Sequence, residues 1–154
     1  MLLAALALST AIVSTDHGAV RGEVTADGRQ LYRGIPYAAP PTGPLRWKPP
    51  QPISAWKTTR DATVSAPSCP QVDRGWNTKA ATFASEDCLY LEVGTPDPKP
   101  ARPLPVMVWI HGGSNYAGGG AGTIQSGMVP KGVVLVSIQY RLGALGFLSH
   151  PALT

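Results

Sequence analysis

The sequence predicts an α/β chain that carries a β-hairpin and the first strands of a mixed sheet, but not a finished domain. Three observations lead there. Leu104–Ile110 (LPVMVWI) and Val133–Ile138 (VVLVSI) are continuous apolar runs rich in β-branched residues. Runs without polar alternation are expected of strands buried on both faces, as in a parallel sheet covered by helices. Upstream, alternating apolar residues in Ala19–Val24 and Gln30–Ile35 flank Ala26-Asp27-Gly28. Asp-Gly favours positive φ, so this segment reads as an antiparallel hairpin. Finally, no amphipathic helix of three turns is evident, although a sheet covered on both faces needs several. The chain is therefore expected to be part of something larger.

Taken in order, Met1–Val13 is apolar and too short to span a bilayer, which needs about 20 residues. Residues 1–14 read equally as the remnant of a secretory signal or as the start of a first strand. No Lys or Arg precedes Arg21, so the basic start of a signal is missing. After the hairpin, Ala39-Pro40-Pro41-Thr42-Gly43-Pro44 and Pro49-Pro50 fix an extended path. Thr78–Ala84 suits one short helical turn, and Leu89–Val93 a strand. Pro96–Pro105 is a proline-rich connection. Gly112–Lys131 is long enough for the crossover that parallel strands require. Its glycines disfavour a long helix, leaving a loop with one turn around Ile124–Met128.

Gly and Pro together supply 33 of 154 residues, 17 and 16, without a period, which excludes collagen-like and repeat architectures. At 44% hydrophobic and 14% charged, the chain is too apolar for disorder and too interrupted for a membrane bundle. Neither nucleic-acid binding nor stable membrane insertion is expected. The net charge of +4 comes from scattered basic residues with no aromatic–basic interleaving. Two cysteines, Cys69 and Cys88, suit one disulfide contributing roughly 3 kcal/mol, and such a bridge would imply an oxidising compartment. No CxxC or Cys/His ligand spacing is present, so no metal is expected, and nothing calls for a cofactor.

The sharpest chemical feature is Trp109-Ile110-His111-Gly112-Gly113-Ser114-Asn115. An apolar strand runs into a glycine turn, where backbone N–H groups can approach a ligand closely. Turns of this HGGG type build oxyanion holes for acyl transfer. The competing glycine-loop readings fit less well. A P-loop needs Gly-Lys-Ser/Thr, which is absent. A dinucleotide fingerprint needs a helix after the glycines, which is not evident.

Three further segments fit the same reading. Gly34-Ile35-Pro36-Tyr37-Ala38-Ala39-Pro40-Pro41 with Leu45-Arg46-Trp47, then Ser85-Glu86-Asp87-Cys88-Leu89-Tyr90-Leu91, then Tyr140-Arg141-Leu142-Gly143-Ala144-Leu145-Gly146-Phe147-Leu148 resemble the type-B (cholinesterase-like) carboxylesterases. With the His-Gly-Gly turn they stand in that family's order. The resemblance runs from about Thr15 to Thr154. It implies the N-terminal portion of an α/β-hydrolase fold over residues 15–154, ending before the nucleophile elbow. It implies oxyanion donors at the backbone N–H groups of Gly113 and Ser114, in a loop opened by His111 and Gly112. Serine in the third glycine place departs from the common pattern, and a positive φ there would add strain. The resemblance also pairs Cys69 with Cys88 as a disulfide and Arg46 with Glu86 as a structural ion pair. Arg141 resembles an arginine whose carboxylate partner lies further along.

The family's nucleophile sits in Gly-x-Ser-x-Gly, and no serine of this sequence has that setting. Ser114 follows Gly112 by two, but position 116 is Tyr; Ser137 lies inside an apolar strand. His17 and His150 read as surface histidines, and His111 as a residue that sets the glycine turn. No catalytic triad member is therefore expected in this chain. It reads as an N-terminal fragment, inactive alone, of a secreted or periplasmic serine esterase acting on small carboxylic esters. A non-catalytic cholinesterase-like adhesion protein is the alternative. Uncovered, the two apolar strands would make an isolated chain aggregate.

Overall fold

The computed structural model describes residues 10–153. Residues 1–9, most of the apolar start, lie outside that range. The described residues form one sheet of seven strands: β1 (Thr10–Thr15), β2 (Gly18–Val24), β3 (Gln30–Pro36), β4 (Arg60–Asp61), β5 (Tyr90–Thr95), β6 (Val106–Ile110) and β7 (Val134–Ile138). In space the order is β1-β2-β3-β5-β7-β6, with β4 beside β2. Neighbours are antiparallel from β1 to β7, and β7 and β6 are parallel. Two five-residue helices, α1 (Thr78–Thr82) and α2 (Gly143–Phe147), are the only α-helices among the described residues.

The hairpin forms where Asp-Gly directs it. Gly28 takes φ +84°, its N–H donates to the Thr25 carbonyl, and Thr25 N–H donates to Arg29. Arg29 holds the Asp27 carboxyl down to about 2, chiefly through its hydrogen bonds and then through Thr25. On β3 the register shifts between Tyr32 and Ile35, where Gly34 has φ +60°. Just before it, the buried Arg33 pairs with Glu23 at 2.7 Å.

β6 and β7 pair in parallel register, Val106 against Val134 through Ile110 against Ile138. Their burial differs from the expectation. β7 alternates, with Leu135 and Ser137 buried. All five residues of β6 are exposed, from Met107 at 42% to Ile110 at 65%. Among the described residues no long helix covers β6, because the connection after it is loop with short 3-10 turns. That connection carries two 3-10 turns, Thr123–Gln125 and Val129–Lys131, rather than a single turn around Ile124–Met128. Ile124 and Val129 from these turns are fully buried. One core cluster gathers Ala38, Cys69, Cys88, Leu89 and Leu142 behind the glycine turn.

Candidate functional site

The site grows from the end of β6. His111 leaves the strand and folds inward, 6% exposed, with its ring stacked on Tyr140. Its Nδ1 lies 2.9 Å from the carbonyl oxygen of Gly112. A carbonyl only accepts, so Nδ1 carries the proton in this contact. Burial pushes the His111 pKa below its ordinary value, which leaves the ring neutral near pH 7. Nε2 is then a bare acceptor, buried without a partner among the described residues.

Peptide planarity turns this contact into a direction for the amides. Among the described residues no cis peptide occurs, and in a trans peptide the C=O and the following N–H point opposite ways. The Gly112 carbonyl turns toward His111, so the Gly113 N–H points away from the imidazole. The Gly113 carbonyl accepts Tyr116 N–H at 3.0 Å and Ala117 N–H at 3.1 Å. The Ser114 N–H therefore points away from those two amides. Neither the Gly113 nor the Ser114 N–H has an acceptor among the described residues. Two neighbouring donors are left free by carbonyls tied to the protein.

The backbone conformation needed for this is unusual. Gly113, Ser114 and Asn115 have φ of +116°, +54° and +64°. A Cβ on Gly113 would sit 1.8 Å from the Ala117 oxygen, so only glycine fits. Ser114 adopts a left-handed conformation that costs an L-residue roughly 1–2 kcal/mol. Asn115 tolerates it better and accepts Gly143 N–H at 2.7 Å. That bond ties the turn to the start of α2.

Behind the turn, Gly118 to Gly122 is held at alternate residues by polar side chains that sequence reasoning missed. Gln71 exchanges two hydrogen bonds with Gly118, both 2.8 Å. Ser137 donates to the Gly120 carbonyl at 2.8 Å, and Gln139 accepts the Gly120 N–H at 3.3 Å. Glu92 accepts the Gly122 N–H at 3.1 Å, and its other oxygen accepts Ser65 Oγ. Glu92, Ser137 and Gln139 are all buried. One signal was available: a Glu in LYLEV and a Ser in VVLVSI interrupt apolar strands, and buried polar groups require partners.

Cys69 and Cys88 are disulfide-bonded and fully buried. Arg46 holds Glu86 with two hydrogen bonds, 2.6 and 2.7 Å, at a partly exposed position. Trp47, next in sequence, has φ +60° and donates its indole N–H to the Ala144 carbonyl in α2. Arg141 donates to the Lys48 carbonyl at 3.0 Å and has no carboxylate partner among the described residues. His17 and His150 are exposed. No histidine nitrogen is bonded to a serine hydroxyl among the described residues, and no described helix is long and apolar enough to cross a membrane.

The partial mixed sheet is that of α/β-hydrolase esterases. A solved thermophilic PNB esterase superposes with a TM-score of 0.82 at 42% identity, covering 94% of this chain and 30% of that one. The chain belongs to the carboxylesterase family, whose model matches residues 9–152. Fumonisin B1 esterase of Sphingopyxis macrogoltabida is 46% identical over 142 residues, covering 91% of this chain and 26% of that protein. Para-nitrobenzyl esterase of Bacillus subtilis is 43% identical, covering 89% and 29%. The chain thus spans between a quarter and a third of the length of these relatives.

Proposed function

We propose that this chain supplies the oxyanion-binding part of a serine carboxylic-ester hydrolase whose nucleophile, acid and base lie outside its 154 residues. The observation that carries the reading is the pair of unmatched amides at Gly113 and Ser114, beside carbonyls engaged by His111, Tyr116 and Ala117. When a serine oxygen adds to an ester carbonyl carbon, the carbonyl oxygen becomes an anion. Donors already fixed in place stabilise that charge without reorganising, and losing one such donor costs about 3 kcal/mol. A neutral His111 suits this role, since its Nδ1–H holds the peptide and needs no proton transfer. The substrate class is a small-molecule carboxylic ester, in keeping with the esterases that the chain resembles. The buried Cys69–Cys88 disulfide favours an oxidising, secreted or periplasmic location.

The test compares two preparations with p-nitrophenyl acetate. The 154-residue chain should release no p-nitrophenol through a serine, whereas the polypeptide as its gene encodes it should do so and be blocked by an organophosphate. Serine-dependent turnover by the 154 residues alone would overturn the division of labour. No turnover by the encoded polypeptide would turn the reading toward a non-catalytic cholinesterase-like binding protein.

A further inference from the structure

We infer that Gln71 is a positioning residue for the oxyanion turn, joining the disulfide-closed loop to the aim of the Gly113 N–H. This rests on the ester-hydrolase reading above. Gln71 uses the whole hydrogen-bonding capacity of a carboxamide. Its Nε2 donates to the Cys69 carbonyl at 3.1 Å and to the Gly118 carbonyl at 2.8 Å. Its Oε1 accepts the Gly118 N–H and Asn77 Nδ2, both at 2.8 Å. Asn77 is buried and binds the same loop through Val72 and Arg74, so the amide is anchored on the disulfide side.

Gly118 is where the loop meets the turn. Its φ is +121°, and a Cβ there would lie 2.5 Å from the Gly112 oxygen and 2.6 Å from His111 Nδ1. The hydrogen bond that aims the Gly113 N–H is therefore made in the space Gly118 leaves. Gly118 stays at that distance because Gln71 engages both its N–H and its C=O. Without the carboxamide, a buried N–H and C=O lose their partners together, and the segment must move to satisfy them. Movement toward His111 displaces the imidazole; movement away frees the ring to rotate off the Gly112 carbonyl. Either way the Gly113 donor loses its direction. No other residue type of this reach offers two donors and two acceptors in one plane, so glutamate cannot replace Gln71.

The experiment uses the polypeptide as its gene encodes it, with Gln71→Met, Gln71→Glu and, as control, Thr78→Ala. The Thr78 hydroxyl bonds within the same disulfide-closed loop, to the Asp73 carboxylate and the Gly75 carbonyl, and to neither Gln71 nor Gly118. Both Gln71 variants should lower kcat about 10- to 100-fold, the range for small misplacements of catalytic groups, with KM changed less than about twofold. Affinity for a trifluoromethyl ketone, which adds the serine to form a tetrahedral oxyanion, should fall by the same factor. Thr78→Ala should leave both unchanged. A loss confined to KM, or an equal loss in Thr78→Ala, overturns the inference. A second readout is independent of turnover: in 15N-glycine-labelled protein, Gln71→Met should shift the amide signals of Gly118 and Gly113. If they stay in place, the coupling is absent even in an active enzyme. If they move in a protein without esterase activity, the coupling stands and the ester reading fails.

Discussion

The rings of His111 and Tyr140 stack with centroids 4.3 Å apart and planes 17° from parallel, while the Tyr140 hydroxyl donates to the backbone carbonyl of His111 at 2.5 Å. One tyrosine thus seats both the side chain and the main chain of the residue that opens the glycine turn. Phe147 closes the stack edge-on. The imidazole is shut from water and must stay neutral to remain there.

That confinement predicts an acid-labile fold. The folded pKa of His111 lies below its ordinary value of 6.5, because burial disfavours the charged ring. Below that pH the unfolded chain takes up a proton that the folded chain refuses, so stability is complete above it and declines as pH falls toward the folded pKa. Asp27 and Asp61, whose pKa values are also lowered from 3.8, add their loss only as pH falls below about 5. Urea unfolding followed from about pH 8 to about pH 5 should show the midpoint falling in that window. A His111→Gln variant should lose that part of the slope; an unchanged slope would remove His111 as its source.

Neighbouring positions of the turn should answer opposite substitutions in opposite ways. Ser114→Gly relieves a left-handed serine, worth roughly 1–2 kcal/mol, and gives back about 0.4–1 kcal/mol in chain entropy. A small net stabilisation is expected, with the backbone donor retained. Gly113→Ala places a methyl group 1.8 Å from the Ala117 oxygen at φ +116°. It should destabilise by about 3 kcal/mol or more. Denaturant midpoints of the two variants, moving apart from wild type, check the geometry of the turn.

The parts legible in the sequence were those written in local patterns. Asp27-Gly28 fixed the hairpin by backbone preference, and the β-branched runs before Ile110 and Ile138 marked the parallel pair. Gly113, two residues after His111, marked a position that only glycine fits, whereas a Cβ on Gly112 would meet nothing. What stayed hidden depends on contacts between distant segments. Gln71 meets Gly118 across 47 positions, and Glu92 meets Gly122 across 30. A glutamine in a loop has no periodicity, so nothing local marks it as a clamp. The burial of β6 was misread for a related reason: an apolar run reports the surroundings a strand suits, and the described residues do not supply them.

The Cys69–Cys88 bridge should matter more to stability than its distance from the turn suggests. It closes a separation of 19 residues and lies fully buried among Ala38, Leu89 and Leu142. A Cys69→Ala/Cys88→Ala variant should lose roughly 3 kcal/mol through the greater freedom of its unfolded chain. Thermal unfolding of this variant against the oxidised wild type measures it. Equal melting temperatures would mean that packing alone holds the loop.

The exposed strand β6 sets the expected behaviour of the 154 residues in solution. Val106, Val108 and Ile110 alternate with Met107 and Trp109 along it, so each face presents apolar side chains. β6 also ends the strand order, and its outer edge is unpaired among the described residues. An apolar strand with a free edge is a template for pairing with another chain. The isolated chain should therefore self-associate with rising concentration and bind a hydrophobic dye. Val108→Lys puts a charge on one of those faces, where association would bury it unpaired. This variant should shift sedimentation toward the monomer and weaken dye binding, with little change in the melting transition. A wild-type chain that stays monomeric and dye-free at high concentration would show that β6 is covered in solution.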